Sequence, residues 1–460
     1  MPVFFIIFFI ITGCQRSDRS AYFGGKVENP GTPYVYLFRD YIPARPDSFR
    51  LDASHRFGGF IRVDEPGAYL ALVDGHVIDV YLRPGDSLVM ICNTLDFENS
   101  VNFSGSEVAD FNNMLRDLGN INMEEIRNIL PLLKEYSPNV IVNFVNMYRD
   151  KKKRIVNLFE DNHPRWRMTP LEKEITDLIF YTPDLFLFER FNEFNRGKDT
   201  IHYEIPFDFD PKKRHPVSFM LHYWLTYRLL NKYPGVDFND MNQIKNLLGK
   251  MDSIFGDPVL ADIEKYKMIQ HYIGDLYPSA DTNVLKDLSD YTSSIFTDSA
   301  RAAFTARYIN MFYRNSKGQK PENLKLLHGA NCDTSYLYDL LEKDNKPYIL
   351  IMTHKKLEPE CYGFYKKLES LRSKYRDSLA IYYMYEEPPS VLEKQSIRFN
   401  PEYFYRLSPE SNYFGLYNTI YFKKPRIYIF DRHKNILLII KLCQKNFEKK
   451  LDSLLTVSHS

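Results

Sequence analysis

Residues 21–105 alternate short apolar runs with clusters of turn-forming residues. The runs are rich in Val, Ile, Leu and Tyr, as in "PYVYLFRDY" and "AYLALVDGHVIDVYLRPGDSLVMIC". The clusters that break them are "NPGTP", "EPG" and "RPGDS". Runs of this kind between Gly and Pro clusters are typical of strands joined by turns. Several short strands at this spacing predict a small antiparallel β-sandwich.

Residues 106–332 have a helical pattern, because apolar residues recur at intervals of three and four positions. The first helix is predicted to begin with Ser106 as its capping residue and to end at Gly119. Later segments follow the same pattern, namely "HPVSFMLHYWLTYRLLNKYPG", "DPVLADIEKYKMIQHYIGDLYP" and "DTNVLKDLSDYTSSIF". No fixed repeat emerges, so the pattern predicts a helical region and not a solenoid.

Residues 333–460 alternate between strand and helix patterns. "PYILIMT" and "LAIYYMY" are predicted strands on either side of the helix "ECYGFYKKLESLRSKY". "PRIYIFD" and "ILLIIKL" are predicted to form a hairpin around "RHKN", and "NFEKKLDSLL" is a closing helix. The pattern predicts an α/β domain with a mixed sheet. The whole chain is therefore predicted to be an α+β multidomain protein.

The N-terminus is predicted to be an export signal and tether spanning residues 1–20. Its apolar run from Val3 to Thr12 is too short for a bilayer span, which needs about 20 residues, but has the length of a secretory signal core. "ITGC", ending at Cys14, resembles the lipobox of bacterial lipoproteins, although no Lys or Arg precedes the apolar run. The resemblance implies lipidation of Cys14, and Gln15 favours the outer membrane of a Gram-negative envelope. A buried hydrophobic strand is the alternative interpretation.

Charge and histidine content narrow the classes of function. The formal net charge is +1 and the charges are interspersed, which argues against a nucleic-acid partner. The dense basic cluster 151–154 is interpreted as a solvated helix face. His215 and His222 are interpreted as ordinary helix residues and not as metal ligands, since no third ligand is evident nearby. Phosphate-binding loops and other cofactor motifs do not occur, so neither a cofactor nor a metal is predicted.

The order of elements after residue 333 resembles that of a thioredoxin fold, in particular the membrane-facing thiol-disulfide proteins of the TlpA/ResA kind. A strand leads into a loop, and the loop into a helix that opens at Cys361. "KKPRIYIFDRHKNIL" resembles the family's cis-proline strand and hairpin, which places Pro425 at the cis-proline. The resemblance therefore implies a C-terminal thioredoxin-like α/β domain at 333–460.

The resemblance also implies that the redox motif has been lost. The family carries Cys-x-x-Cys in this loop, and its first cysteine is a thiolate nucleophile activated by the helix N-terminus. Here the four residues are Glu358-Pro359-Glu360-Cys361, so a glutamate occupies the position of the nucleophile. Cys361 falls on the second position, which in the family resolves the mixed disulfide. A degenerate site of this kind predicts no confident catalytic residue.

The N-terminal region has its own resemblance. Residues 21–105, with Pro84-Gly85-Asp86 between two strands and Phe103-Ser104-Gly105 closing the region, resemble the domain that precedes thioredoxin-like domains in exported lipoproteins. Two functions follow from the two resemblances. The first is a lipid-anchored, non-catalytic binding or scaffold protein, whose partner is an extended peptide or an envelope protein. The second is a thiol-disulfide oxidoreductase that acts through a single cysteine.

Overall fold

The computed structural model divides the chain into two compact units, Met1–Pro234 and Gly235–Ser460. The boundary lies within the stretch whose sequence pattern is helical. The residues that the structure describes are 19–39, 46–195, 199–207, 209–213, 215–216, 219–233, 240–276, 282–328, 333–354, 362–385, 403–408, 426–441 and 447–457. No described helix is both long enough and apolar enough to cross a membrane.

The strands of the first unit form two four-stranded sheets, with the orders β4-β1-β7-β8 and β3-β2-β5-β6. Their bounds are β1 Ser20–Glu28, β2 Tyr34–Phe38, β3 Asp47–Arg50, β4 Arg56–Arg62, β5 Gly67–Val73, β6 His76–Leu82, β7 Ser87–Asn93 and β8 Asn102–Gly105. Both sheets contribute side chains to one hydrophobic core, where Phe23 of β1 contacts Phe49 of β3 at 5.6 Å between ring centroids. The predicted sandwich is therefore present in the described residues.

The prediction that this sandwich is antiparallel is wrong in one respect. Strands β1 and β7 pair in parallel, with Tyr22 opposite Ser87 and Glu28 opposite Asn93. The other pairs in the two sheets are antiparallel. Parallel strands cannot be joined by a tight turn, and more than fifty residues separate β1 from β7 in the chain. A pairing between strands so far apart leaves no signal in local periodicity.

The turn between β6 and β7 follows the predicted Pro84-Gly85-Asp86 motif. Gly85 has a φ of +84°, a left-handed value that glycine adopts without steric cost. Asp86 is buried, and its Oδ2 accepts a hydrogen bond from the backbone N–H of Arg83 at 2.8 Å. Ser106 Oγ lies 3.1 Å from Asp86 Oδ1 and joins the turn to the chain that follows β8. The motif is thus explained by local backbone requirements.

Helices follow the strands in the first unit. Their bounds are α1 Phe97–Ser100, α2 Val108–Ile129, α3 Pro138–Asn162, α4 Pro170–Phe194 and α5 Phe219–Lys232, with 3₁₀ turns at Thr94–Asp96 and Leu130–Lys134. The predicted helix end at Gly119 is wrong, because α2 continues ten residues beyond it. A glycine inside a helix costs only about 1 kcal/mol. Burial of Asn122, Glu125 and Ile129 along the second half of α2 shows that tertiary packing holds the helix together there.

The second unit begins with helices and ends in a seven-stranded sheet. Its helices are α6 Met241–Ile254, α7 Pro258–Leu276, α8 Thr282–Ile295, α9 Ser299–Arg314, α10 Leu337–Glu342, α11 Tyr362–Lys374 and α12 Phe447–Val457. Its strands are β9 Lys325–His328, β10 Asp333–Tyr336, β11 Tyr348–His354, β12 Leu379–Tyr385, β13 Phe404–Leu407, β14 Arg426–Asp431 and β15 Ile436–Lys441. The sheet order is β10-β9-β13-β12-β11-β14-β15.

The last sheet has the mixed character and the element order that the sequence predicts. Strand β11 pairs in parallel with β12 and antiparallel with β14, and β14 and β15 form the predicted hairpin. Helix α11 lies between β11 and β12 in the chain, and α12 closes the sequence. Strands β9, β10 and β13 widen the sheet and were not predicted. Strand β9 comes from the stretch that the sequence pattern marks as helical.

Candidate functional site

The residues of the predicted thioredoxin-like motif lie outside the described residues. These are Glu358, Pro359, Glu360, Cys361 and Pro425. The predicted lipidation site, Cys14, lies outside them as well. Their assignments stay predictions. The described elements that flank them in the chain are the strands β11 and β14 and the helix α11.

The two strand ends that flank the motif are neighbours in the sheet. In the β11–β14 pair, Thr353 lies opposite Arg426, which is the first residue of β14. The Thr353 side chain is fully buried, and its Oγ1 donates to the backbone carbonyl of Arg426 at 3.3 Å. The C-terminal end of β11 and the N-terminal end of β14 are therefore adjacent in the sheet.

The helix that follows the motif is anchored by its apolar face and by a polar contact. Leu368 and Leu371 of α11 are buried in the same core as Met352 of β11. In the polar contact, Glu369 Oε1 accepts a hydrogen bond from the hydroxyl of Tyr383 on β12 at 2.6 Å. Burial first, and then this carboxylate, raise the pKa of Tyr383, so the phenol stays protonated and donates. The helix is thus fixed against the sheet through both kinds of contact.

Cys92 of β7 is the one cysteine among the described residues. The thiol is buried in the first unit, and burial raises its pKa to about 12, with smaller contributions from Asp74 and Glu28. A thiol with such a pKa is almost entirely protonated at neutral pH and is therefore a poor nucleophile. Cys92 has the character of a small core residue.

His215 corrects one detail of the sequence interpretation. It precedes α5 and is not a helix residue, and an acidic side chain lies beside it. Its Nδ1 lies 2.8 Å from Glu174 Oε1 and its Nε2 lies 2.7 Å from the backbone oxygen of Asp210. Both neighbours are acceptors, and both ring nitrogens can donate to them only when the ring is protonated, so the site favours the imidazolium form. No group of three or more potential metal-ligating side chains occurs among the described residues.

A buried charge network in the first unit was missed by the sequence analysis. Lys152 of α3 is fully buried, so the interpretation of 151–154 as a uniformly solvated face is wrong at this position. Its Nζ donates to Glu125 Oε2 of α2 at 2.8 Å, to Asp184 Oδ1 of α4 at 2.6 Å and to the carbonyl of Phe180 at 2.9 Å. Arg149 Nε contacts the second oxygen of Asp184 at 2.5 Å. One lysine therefore joins three helices.

The network is built around a proline inside α4. Pro183 has no N–H, so it leaves the carbonyl of Ile179, four residues earlier, without its helical donor. Asn122 of α2 supplies a replacement, because its Nδ2 donates to that carbonyl at 2.7 Å. Lys152 donates to the next carbonyl, that of Phe180. Side chains of α2 and α3 thus satisfy the backbone where α4 is interrupted.

Glu125 is the titratable member of this network with the most perturbed environment. Burial, and then the nearby charge of Asp184, raise its pKa above the usual range for a carboxyl group, while Lys152 opposes the increase. Its Oε1 is buried without a hydrogen-bond partner among the described residues, which adds to the cost of holding a charge there. The sequence did hold a signal for the burial of Lys152. The lysine follows Ile141, Val145 and Tyr148 at helical spacing, which places it on the buried face of α3.

Comparison with known proteins adds distant structural similarities. A thioredoxin-like protein from Bacteroides caccae aligns with a TM-score of 0.31 and 13% identity, covering 54% of this chain and 99% of that chain. A domain of a possible thiol-disulfide isomerase from Cytophaga hutchinsonii aligns with a TM-score of 0.25 and 18% identity, covering 31% and 95%. The C-terminal domain of an uncharacterized protein from Bacteroides fragilis aligns with a TM-score of 0.22 and 18% identity, covering 30% and 97%. Neither a family model nor a curated protein matches the sequence.

Proposed function

We propose that this chain is a lipid-anchored protein of the cell envelope whose thioredoxin-like domain binds a partner without redox chemistry. The observation that carries the proposal is the glutamate at position 358, in the place where the family has its nucleophilic cysteine. The adjacent ends of β11 and β14 support the alignment on which that placement depends. The predicted Cys14 anchor would hold the domain at the membrane, in the outer membrane by the sorting pattern that Gln15 resembles.

The chemistry of Glu358 explains why a redox role would be lost. A carboxylate cannot form or exchange a disulfide, because exchange proceeds by attack of a thiolate on sulfur. At a helix N-terminus a carboxylate is instead stabilising, by about 0.3–1 kcal/mol. Cys361, on the resolving position, would lack a mixed disulfide to attack. A cysteine retained at such a position would then serve as a small apolar residue.

The binding role depends on a part of the thioredoxin fold that needs no cysteine. In the family, an extended peptide docks beside the cis-proline through backbone hydrogen bonds, a mode of recognition that needs no thiol. The hydrogen bond from the buried Thr353 hydroxyl to the Arg426 carbonyl joins the adjacent ends of β11 and β14. An extended peptide or an unfolded segment of an envelope protein is the partner that this chemistry fits.

Insulin reduction is the direct test of the proposal. The purified wild-type chain, supplied with dithiothreitol, should precipitate insulin no faster than the reductant alone. Titration with a maleimide at pH 6 to 8 should reveal no thiol that reacts as a low-pKa thiolate, since such a thiol requires a positive environment at the nucleophile's position. Insulin turnover above the background would reject the non-redox function.

The second candidate, a single-cysteine oxidoreductase, is favoured only by the presence of Cys361. It predicts a mixed disulfide between Cys361 and glutathione that dithiothreitol reverses. A Cys361→Ser variant is the matched control, because it removes this thiol alone. Glutathione adducts that form on wild type and disappear in Cys361→Ser would favour this candidate, whereas equal labelling of the two proteins would exclude it.

A further inference from the structure

The sheet β4-β1-β7-β8 has one side in the core and one side towards solvent, which we call the outer face. Side chains alternate between the two sides, with Ala21, Phe23 and Val27 of β1 buried. The outer face has the cations Lys26, Arg56 and Arg62 and a single acid, Glu28, on its strands. Lys26 and Arg62 contact the exposed carboxylates of Glu28 and Asp64, at 3.0 and 2.9 Å. Three cations against these two carboxylates leave the face with a small net positive charge.

Two exposed apolar side chains lie among these cations. Phe60 of β4 is 61% exposed and Ile91 of β7 is 44% exposed. The Phe60 ring contacts Tyr22 edge-on, at 5.5 Å between centroids. A Cβ atom at Gly24 or Gly58 would collide with the Tyr22 hydroxyl, so the two glycines leave the room in which the tyrosine lies flat on the sheet. The face therefore carries aromatic rings, and the glycines beside them have no side chain that would displace them.

The short stretch of chain between Cys14 and Ser20 limits how far the outer face can lie from the predicted anchor. Strand β1 begins at Ser20, six residues after Cys14. At about 3.3–3.6 Å per residue, six residues reach at most about 20 Å. Ser20 pairs with Arg62 and Tyr22 pairs with Phe60. These basic and aromatic residues of the face therefore lie at the end of β1 that follows the tether in the chain.

We propose that the outer face of this sheet rests on the anionic lipid surface that carries the anchor. The proposal rests on lipidation of Cys14 and deepens it, because it states how the first unit is oriented. Aromatic rings partition into the boundary between headgroups and acyl chains, and basic side chains attract anionic headgroups. Each lysine or arginine near such a surface contributes roughly five-fold in partitioning. A short tether holds the face within reach of the surface at all times.

Tryptophan quenching by brominated lipids tests the orientation in the full-length lipidated protein. Phe60→Trp places a reporter on the outer face, and Val77→Trp is the matched control, because Val77 is 39% exposed on a strand of the other sheet. Wild type, with its own two tryptophans, gives the background. In vesicles containing brominated phosphatidylglycerol, we expect the emission of Trp at position 60 to be quenched well above that background and Val77→Trp to stay close to it. In brominated phosphatidylcholine the quenching at position 60 should be weaker.

Three outcomes would overturn the proposal. Quenching of Phe60→Trp that does not exceed that of Val77→Trp, in protein that still floats with vesicles, rejects the orientation and leaves the anchor standing. Equal quenching in the anionic and neutral lipids rejects the role of the cations. A blue shift at position 60 that depends on protein concentration without lipid would assign the face to a second copy of the chain. Loss of flotation in the wild type would instead reject the anchor itself, as mass spectrometry of Cys14 would show independently.

Discussion

Replacing Lys152 by Met removes the cation that joins α2, α3 and α4. Methionine keeps most of the apolar length of lysine, so the change chiefly deletes the charge and its three hydrogen bonds. Asp184 keeps its contact with Arg149, whereas Glu125 loses the cation that opposes the rise in its pKa. Breaking a buried ion pair by removing one partner costs about 3–5 kcal/mol. We expect Lys152→Met to lower the free energy of unfolding of the first unit by this amount.

Urea unfolding followed by tryptophan fluorescence measures this loss selectively. The chain has two tryptophans, Trp166 and Trp224, and both lie in the first unit. Lys153→Met is the matched control, because the side chain of Lys153 is 63% exposed and its pair with Asp150 spans 3.5 Å in solvent. Such a pair contributes about 0–1 kcal/mol. Equal unfolding midpoints for Lys152→Met and Lys153→Met would refute the claim that the buried network stabilises this unit.

Further expectations concern pH and membrane attachment. The pKa of Glu125 is raised in the folded state by burial and then by Asp184, so its contribution to stability is fully present below about pH 4.3 and is lost as the pH rises through the folded value. Glu125→Gln should therefore flatten the fall in urea midpoint between pH 5 and pH 9. An unchanged fall would show that Glu125 does not cause it. Burial lowers the pKa of His215, but hydrogen bonds to Glu174 and to the Asp210 carbonyl outweigh it and raise the pKa overall. Its stabilisation is fully present below about pH 6.5 and is lost as the pH rises through the folded value, so His215→Gln should cost about 1–3 kcal/mol at pH 6 and less at pH 9. An equal cost of His215→Gln in urea melts at the two pH values would contradict the charged state. Cys14→Ser should move the protein out of the salt-washed membrane fraction, and retention there on an immunoblot would mean a different anchor.

Local patterns predicted most of the elements around the candidate site. The strand Leu379–Tyr385 has the bounds of the run "LAIYYMY", and the hairpin of β14 and β15 lies where apolar runs flank "RHKN". Buried strands in the middle of a sheet are apolar on both faces, so short continuous runs identify them. The added strands β9, β10 and β13 have four residues each and lack such a run, and the pairing of β13 with β9 and β12 joins residues that are distant in the chain.

Features that depend on distant residues could not be predicted in the same way. Lys152 stands in a run of four basic residues, and its burial depends on Glu125 and Asp184, which are 27 and 32 positions away. Continuation of α2 beyond Gly119 likewise depends on packing against other helices, which outweighs the local preference of glycine. The motif at 358–361 lies outside the described residues, so its assignment rests on sequence resemblance, with support from the adjacent ends of β11 and β14.

The mass of a Glu358→Cys variant tests most directly whether position 358 is the lost nucleophile's place. If the loop has the family's geometry, the new cysteine and Cys361 lie within disulfide distance and close under mild oxidation, with a mass loss of about two daltons from the peptide that contains both. Glu360→Cys is the matched control, since it adds a thiol to the same loop at a position that the family's disulfide does not use. We predict the bond in Glu358→Cys and not in Glu360→Cys or wild type. A folded Glu358→Cys protein that keeps both thiols free would contradict the thioredoxin-like placement of this loop.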